Sequence, residues 1–197
     1  MRVAVCVSGR GSNLEALLTS LGSDDAARVV LVISNRPDAG ALAIAERFGV
    51  ETAIVNNGDG AETWLEILER SRIDLIVLAG FLRKVPDGVV DRYAGRILNI
   101  HPALLPDHGG PGMYGLRVHR AVLERGDKES GATVHEVTER YDEGPILGQA
   151  RVPVHPGDTP ESLAARVLAI EHRLLPAAVR AAAAAGRAVP FTLNEDG

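Results

Sequence analysis

The chain has 197 residues, 46% of them hydrophobic and 24% charged, and a formal net charge of -5. That balance suits one globular domain able to bury a sizeable core, and it argues against nucleic-acid binding. The single cysteine, Cys6, excludes an internal disulfide. No run of about 18 apolar residues offers a membrane span and no basic-then-apolar leader opens the chain, so the default expectation is a cytoplasmic protein.

The first half alternates strand-like and helix-like segments. Residues 2–7 form a β-branched apolar run, with Cys6 inside it as a small buried hydrophobe. A helix over 13–21 follows, with Leu14, Leu17, Leu18 and Leu21 on one face. The pattern then predicts a strand over 29–33, a helix over 39–48, a strand over 52–55 and a helix over 61–70. A strand over 74–79 is apolar throughout and reads as buried on both faces; a short helix over 87–93 and a strand over 96–100 come next. Strands alternating with helices imply right-handed crossovers and a Rossmann-like, doubly wound, mostly parallel α/β sheet.

After Pro106 the pattern changes. Residues 107–115 are glycine-rich, compatible with a mobile active-site loop or with a plain surface connection. A helix over 118–125 is followed by strands over 132–138 and 146–154, a hairpin that adds antiparallel strands to the sheet. Thr159 caps a long final helix with Pro160 at its first position, running to about residue 185. One domain over 1–187 and a tail over 188–197, frayed at its last four residues, is the expected organisation.

Ligands of such sheets bind beyond the carboxyl ends of the strands. Three segments with unusual residues fall there: Ser8-Gly9-Arg10-Gly11-Ser12-Asn13, Ala79-Gly80-Phe81-Leu82-Arg83 and Asn99-Ile100-His101-Pro102. The first lacks the third glycine of a dinucleotide fingerprint, since Leu14 stands there, and Ser34-Asn35-Arg36 closes the second strand without an acid. It also lacks the Lys-Ser/Thr of a P-loop. Two readings remain: a phosphate monoester held by Gly11, Ser12 and Asn13, or a tight turn with Ser12 as a helix N-cap.

Asn99 and His101 are two apart in an extended segment, so they project to one side. An amide that donates to an oxyanion beside an imidazole that titrates near pH 7 suits acyl or formyl transfer to an amine. Asp142, in a glycine-bounded turn, is either a turn-former or a carboxylate that raises the His101 pKa. His119 and His135 read as packing or solvent-facing residues, and Glu171 as a solvated helix charge. No spacing matches a zinc or iron site, so no metal is expected.

Together, Ser8-Gly9-Arg10-Gly11-Ser12-Asn13-Leu14, Leu78-Ala79-Gly80-Phe81-Leu82-Arg83, Asn99-Ile100-His101-Pro102-Ala103-Leu104-Leu105-Pro106 and Tyr141-Asp142-Glu143-Gly144-Pro145-Ile146, with Glu171-His172 beyond them, resemble the phosphoribosylglycinamide formyltransferases. The likeness runs from Met1 to about Arg187. It implies the formyltransferase fold and transfer of a formyl group from 10-formyltetrahydrofolate, as cosubstrate, to the amine of phosphoribosylglycinamide in purine synthesis. It further implies a catalytic trio: His101 as proton carrier, Asn99 on the tetrahedral oxyanion and Asp142 supporting protonated His101. By the same resemblance Gly11, Ser12, Asn13 and Glu171 hold the ribonucleotide. Leu82, Arg83, Lys84, Val85, Asn99, Thr138, Glu139, Arg140, Tyr141 and Asp142 hold the folate. Small-molecule partners, no metal, no nucleic acid, no membrane and a monomer or homodimer complete the expectation.

Three departures stand out: a longer loop over 107–115, no arginine near the start of the third helix, and Glu143 where glycine is common. Methionyl-tRNA formyltransferases share Asn-x-His-Pro but carry a further C-terminal domain, and formyltetrahydrofolate deformylases a further N-terminal one. Another 10-formyltetrahydrofolate-using transferase or hydrolase is therefore the alternative enzyme. A non-enzymatic phospho-ligand module would keep the glycine loop without needing Asn99, His101 and Asp142.

Overall fold

Strand β1 (Arg2–Val7) carries Val3, Val5 and Val7 on one face and Ala4 and Cys6 on the other, all five fully buried. A strand covered on both faces requires apolar side chains at successive positions. Burial pushes the Cys6 thiol up, leaving it a neutral packing group.

The computed structural model describes residues 1–22 and 26–193. After β1 come α1 (Ser12–Leu21), β2 (Arg28–Ser34), α2 (Gly40–Arg47), β3 (Glu51–Ile54), α3 (Ala61–Arg70), β4 (Leu75–Leu78), α4 (Asp87–Arg92) and β5 (Ile97–His101). Then follow α5 (Leu116–Arg125), β6 (Glu129–Glu136), β7 (Ile146–Pro153) and α6 (Pro160–Ala185). The seven strands form one sheet in the order β3-β2-β1-β4-β5-β6-β7. Pairing is parallel from β3 to β5 and antiparallel across β5–β6 and β6–β7. This is the doubly wound, mostly parallel architecture with an antiparallel C-terminal hairpin and a long last helix.

One core lies between the sheet and α1, α2, α5 and α6, using Leu14, Leu17, Val122, Leu163 and Leu174; the other packs Trp64 and Leu68 of α3 and Val89 of α4. Trp64 meets Phe81 edge-on, with ring centroids 5.7 Å apart. The α6 start is a capping box: the Thr159 hydroxyl accepts from the Ser162 N–H and the Ser162 hydroxyl from the Thr159 N–H.

Beyond α6 the chain turns at Gly186 and packs back on the sheet. The Ala188 N–H donates to the Gly95 carbonyl, the Phe191 N–H to the Leu147 carbonyl, and the Phe191 ring lies against Gly148. The expected frayed end, 194–197, lies outside the described residues.

Strand order reverses direction between β1 and β4, so the connections that leave their carboxyl ends run to opposite sides and leave a crevice. Ser8 ties its walls together. Its hydroxyl donates to Asn35 Oδ1 at 2.6 Å and accepts from the Leu82 N–H at 2.8 Å. Asn35 thus has a structural use where a dinucleotide-binding fold would place an acid.

Candidate active site

A cavity of about 570 Å³ opens at the carboxyl ends of β1, β4 and β5. Every candidate site residue borders it: Gly11, Ser12 and Asn13; Leu82, Arg83, Lys84 and Val85; Asn99 and His101; Thr138, Glu139, Arg140, Tyr141 and Asp142; and Glu171.

The Gly11 turn is built by close packing. Gly11 is the residue before α1 and has φ 87°, and a Cβ there would lie 2.6 Å from the Cβ of Ala41. Only glycine meets both conditions at low cost. Ser12 is therefore the first helical residue and not the N-cap, and no side chain caps α1. Asn13 points across to α6, where its Nδ2 donates to Glu171 Oε2 at 2.8 Å, while its Oδ1 is buried without a partner. Glu171 is not a solvated charge: it is 6% exposed, and burial lifts its carboxyl to about 7 against the opposing Asn13 hydrogen bond.

In the same cavity, Asn99, His101 and Asp142 converge. His101 Nδ1 lies 3.6 Å from Asp142 Oδ2, and Asn99 Nδ2 lies 3.4 Å from Asp142 Oδ1. Asp142 has φ 58°, a turn conformation that Asp tolerates, so it serves the turn and the site together. The expected electrostatics need correction. Burial lowers the His101 pKa, and this outweighs the upward pull of the Asp142 charge and of the hydrogen bond to the His108 carbonyl. Burial pushes the Asp142 carboxyl up, but the contact with His135, the charge of His101 and the Gly110 N–H hold it below its ordinary range.

Three features decide what the sequence reading left open or gave no role in the site. The first is His135, a buried histidine opposite Asn99 in the β5–β6 ladder. Its Nδ1 donates to the Glu136 carbonyl at 2.9 Å; its Nε2 lies 2.9 Å from Asn99 Nδ2 and 3.4 Å from Asp142 Oδ1, accepting from the amide when the ring is neutral and facing the carboxylate as a donor when it is protonated. The second is His119, which is 4% exposed with Nδ1 buried and unpartnered at the cavity wall; burial, then the charge of His101, drives its pKa down to about 4. The spacing of Val118 and Val122 on α5 was the available signal for a buried face there.

The third feature is the 107–115 loop, which is no plain connection. Residues 110–115 line the cavity, the His108 carbonyl accepts from His101 Nε2 at 2.8 Å, and the Gly110 N–H donates to Asp142 Oδ2 at 2.8 Å. Near the start of α3, where an arginine was missed, Trp64 is buried in the core. Among the described residues, no group of three or more His, Cys, Asp and Glu could hold a metal ion, and no helix is long and apolar enough to cross a membrane.

The family model described as formyl transferase matches residues 1–179. This chain belongs to the formyl transferase family. The formyl transferase is 39% identical over 183 residues to the phosphoribosylglycinamide formyltransferase of Escherichia coli strain K12, covering 89% of this chain and 84% of that one. It is 42% identical over 182 residues to the chloroplastic phosphoribosylglycinamide formyltransferase of Arabidopsis thaliana, and spans 88% of its own length but 62% of that relative. Its fold matches the crystal structure of phosphoribosylglycinamide formyltransferase from Anaplasma phagocytophilum with a TM-score of 0.86 and 40% identity, covering 93% and 87% of the two chains. Within the formyl transferase family it falls with the phosphoribosylglycinamide formyltransferases.

Proposed function

We propose that this formyl transferase moves the formyl group of 10-formyltetrahydrofolate to the amine of phosphoribosylglycinamide, a step of purine synthesis in the cytoplasm. The observation that carries the reading is one cavity lined by both the Gly11–Asn13 turn with Glu171 and by Asn99, His101 and Asp142. The relatives named for this activity at about 40% identity support it.

The ribonucleotide phosphate sits at the Gly11 turn, where helix-start N–H groups favour an anion. Glu171 and the free Oδ1 of Asn13 take up polar hydrogens of the same substrate. The folate lies along residues 82–85 and 138–142 and presents its N10-formyl group to Asn99.

The substrate amine attacks the formyl carbon, and the carbonyl oxygen becomes an oxyanion. Asn99 has two Nδ2 hydrogens; one is held by His135, and the other, only weakly engaged at 3.4 Å by Asp142, turns to the oxyanion. The attacking nitrogen loses a proton and the folate N10 gains one as the C–N10 bond breaks, with His101 relaying between them. Asp142, held as a carboxylate, stabilises the imidazolium that forms in transit. The products are formylglycinamide ribonucleotide and tetrahydrofolate.

The test is mass spectrometry of the purified protein incubated with phosphoribosylglycinamide and 10-formyltetrahydrofolate. A formylated ribonucleotide, lost in His101→Ala with ribonucleotide binding retained, is the expected result. Tetrahydrofolate release without a formylated ribonucleotide points to a hydrolase and overturns the reading.

A further inference from the structure

The turn over residues 108–110 touches both groups assigned to proton handling. Its His108 carbonyl accepts from His101 Nε2, and its Gly110 N–H donates to Asp142 Oδ2. Yet the loop that contains it has glycine at 109, 110, 112 and 115, a composition that leaves the backbone free to move. Something else must hold the turn in place.

The His108 side chain does so. It is 9% exposed, and its Nε2 lies 2.6 Å from Asp127 Oδ2 in the α5–β6 connection. Arg125 braces the pair from both sides, with Nε 3.3 Å from Asp127 Oδ1 and NH1 3.0 Å from Asp107 Oδ1, the residue before His108. His108 itself has φ 55°. Glycine would occupy that conformation at lower cost, so the side chain must contribute something the backbone alone does not.

We propose that the His108–Asp127 pair is a positioning device that pins the His108 carbonyl on Nε2 of His101 and thereby selects the His101 tautomer. A carbonyl only accepts, so Nε2 keeps its hydrogen in both protonation states. The titrating nitrogen is then Nδ1, the one that faces Asp142 at 3.6 Å. Neither His108 nor Asp127 is a catalytic residue; both act through the carbonyl. Without the pair the carbonyl drifts, the neutral tautomers mix, and part of the enzyme presents an Nδ1 already carrying a hydrogen. The proposal rests on the reading of His101 as the proton carrier.

Two variants test it. His108→Gly removes the tether but relieves the backbone conformation, so it keeps the fold; Asp127→Ala removes the other partner. Imidazole nitrogen NMR on histidine-labelled protein, with the His101 signal assigned by its loss in His101→Ala, reads the tautomer directly. The parent shows His101 protonated at Nε2, and both variants show a mixture. In the assay, kcat falls by roughly tenfold or more while KM for both substrates stays within about twofold, because the pair touches neither substrate. A purely structural role leaves the tautomer and kcat of His108→Gly unchanged. An unchanged His101 tautomer in both variants overturns the proposal whether or not the protein formylates, which separates its failure from that of the assigned activity. Mixed tautomers with kcat within twofold of the parent overturn the catalytic consequence.

Discussion

Asn99 and His135 face each other across the β5–β6 pair, with the amide Nδ2 2.9 Å from the imidazole Nε2. The Glu136 carbonyl fixes the tautomer of His135, and His135 in turn fixes which way the Asn99 amide points. An oxyanion donor that is already oriented costs no reorganisation when charge develops. Replacing His135 with Leu frees the amide to rotate and lowers kcat by roughly 10- to 100-fold with little change in KM. Asn99→Ala lowers it by roughly 100-fold or more, and the double variant is no worse than Asn99→Ala alone. Steady-state kinetics of the three variants check this; additive losses would separate the two residues.

Glu171 makes stability fall with rising pH. Its carboxyl titrates at about 7 when folded, against an ordinary 4.5, so the folded state binds the proton more tightly. The gain from that proton is full below pH 4.5 and is lost as the pH climbs through 7, a change of about 3 kcal/mol at most. Glu171→Gln keeps the Asn13 contact without the buried charge. It raises Tm above pH 7 and flattens this part of the stability curve, while KM for the ribonucleotide rises. Thermal melts from pH 4.5 to 8 measure the slope.

His119 acts with the opposite sign. Its imidazole is driven down to about 4 from an ordinary 6.5. The unfolded chain takes up the proton first, so stability is present above pH 6.5 and is lost as the pH falls toward 4. His119→Gln removes this acid-side loss, and its Tm declines less between pH 6.5 and 4.5 than that of the parent. A parallel decline in the two proteins would assign the acid sensitivity elsewhere.

Gly11→Ala puts a Cβ against Ala41 at a positive φ. Stability falls by about 1–3 kcal/mol, and KM for the ribonucleotide rises because the turn opens. The Gly11→Ala, Ala41→Gly pair relieves the contact with the Ala41 Cβ but neither the one with its Cα at 2.7 Å nor the cost of φ, so it recovers only part of the loss. Urea denaturation of the two proteins separates the contributions.

The architecture was readable because local rules agree along most of the chain. The unbroken apolar run of β1, the leucine stripe of α1 and the Thr159-Pro160 start of α6 each point to one structure, and the structure has them. Part of the candidate set was readable for another reason: the segments over 8–13, 79–83 and 99–102 fall at the carboxyl ends of parallel strands, whereas Glu171 and residues 138–142 entered through the family resemblance. What escaped depends on distant parts of the chain meeting. His135 joins Asn99 only through the register of two antiparallel strands, and no local pattern states that register. The strength of burial around His101 depends on the whole cavity, so the charge of Asp142, visible in sequence, was overweighted against desolvation. The loop over 107–115 looked soft because its glycines are local, whereas the Asp127 that holds it lies past a helix.

The return of the chain end onto Leu147 and Gly148 bears on how the molecule keeps to itself. β7 is the last strand of the sheet, and an outer strand offers its backbone groups to any passing extended chain. Phe191 occupies one of those groups with its own N–H and covers the bare backbone of Gly148 with its ring. Cut after Gly186, the protein would carry an uncovered strand edge. Its self-association by light scattering should rise while the cavity, whose lining includes none of residues 187–193, keeps its walls.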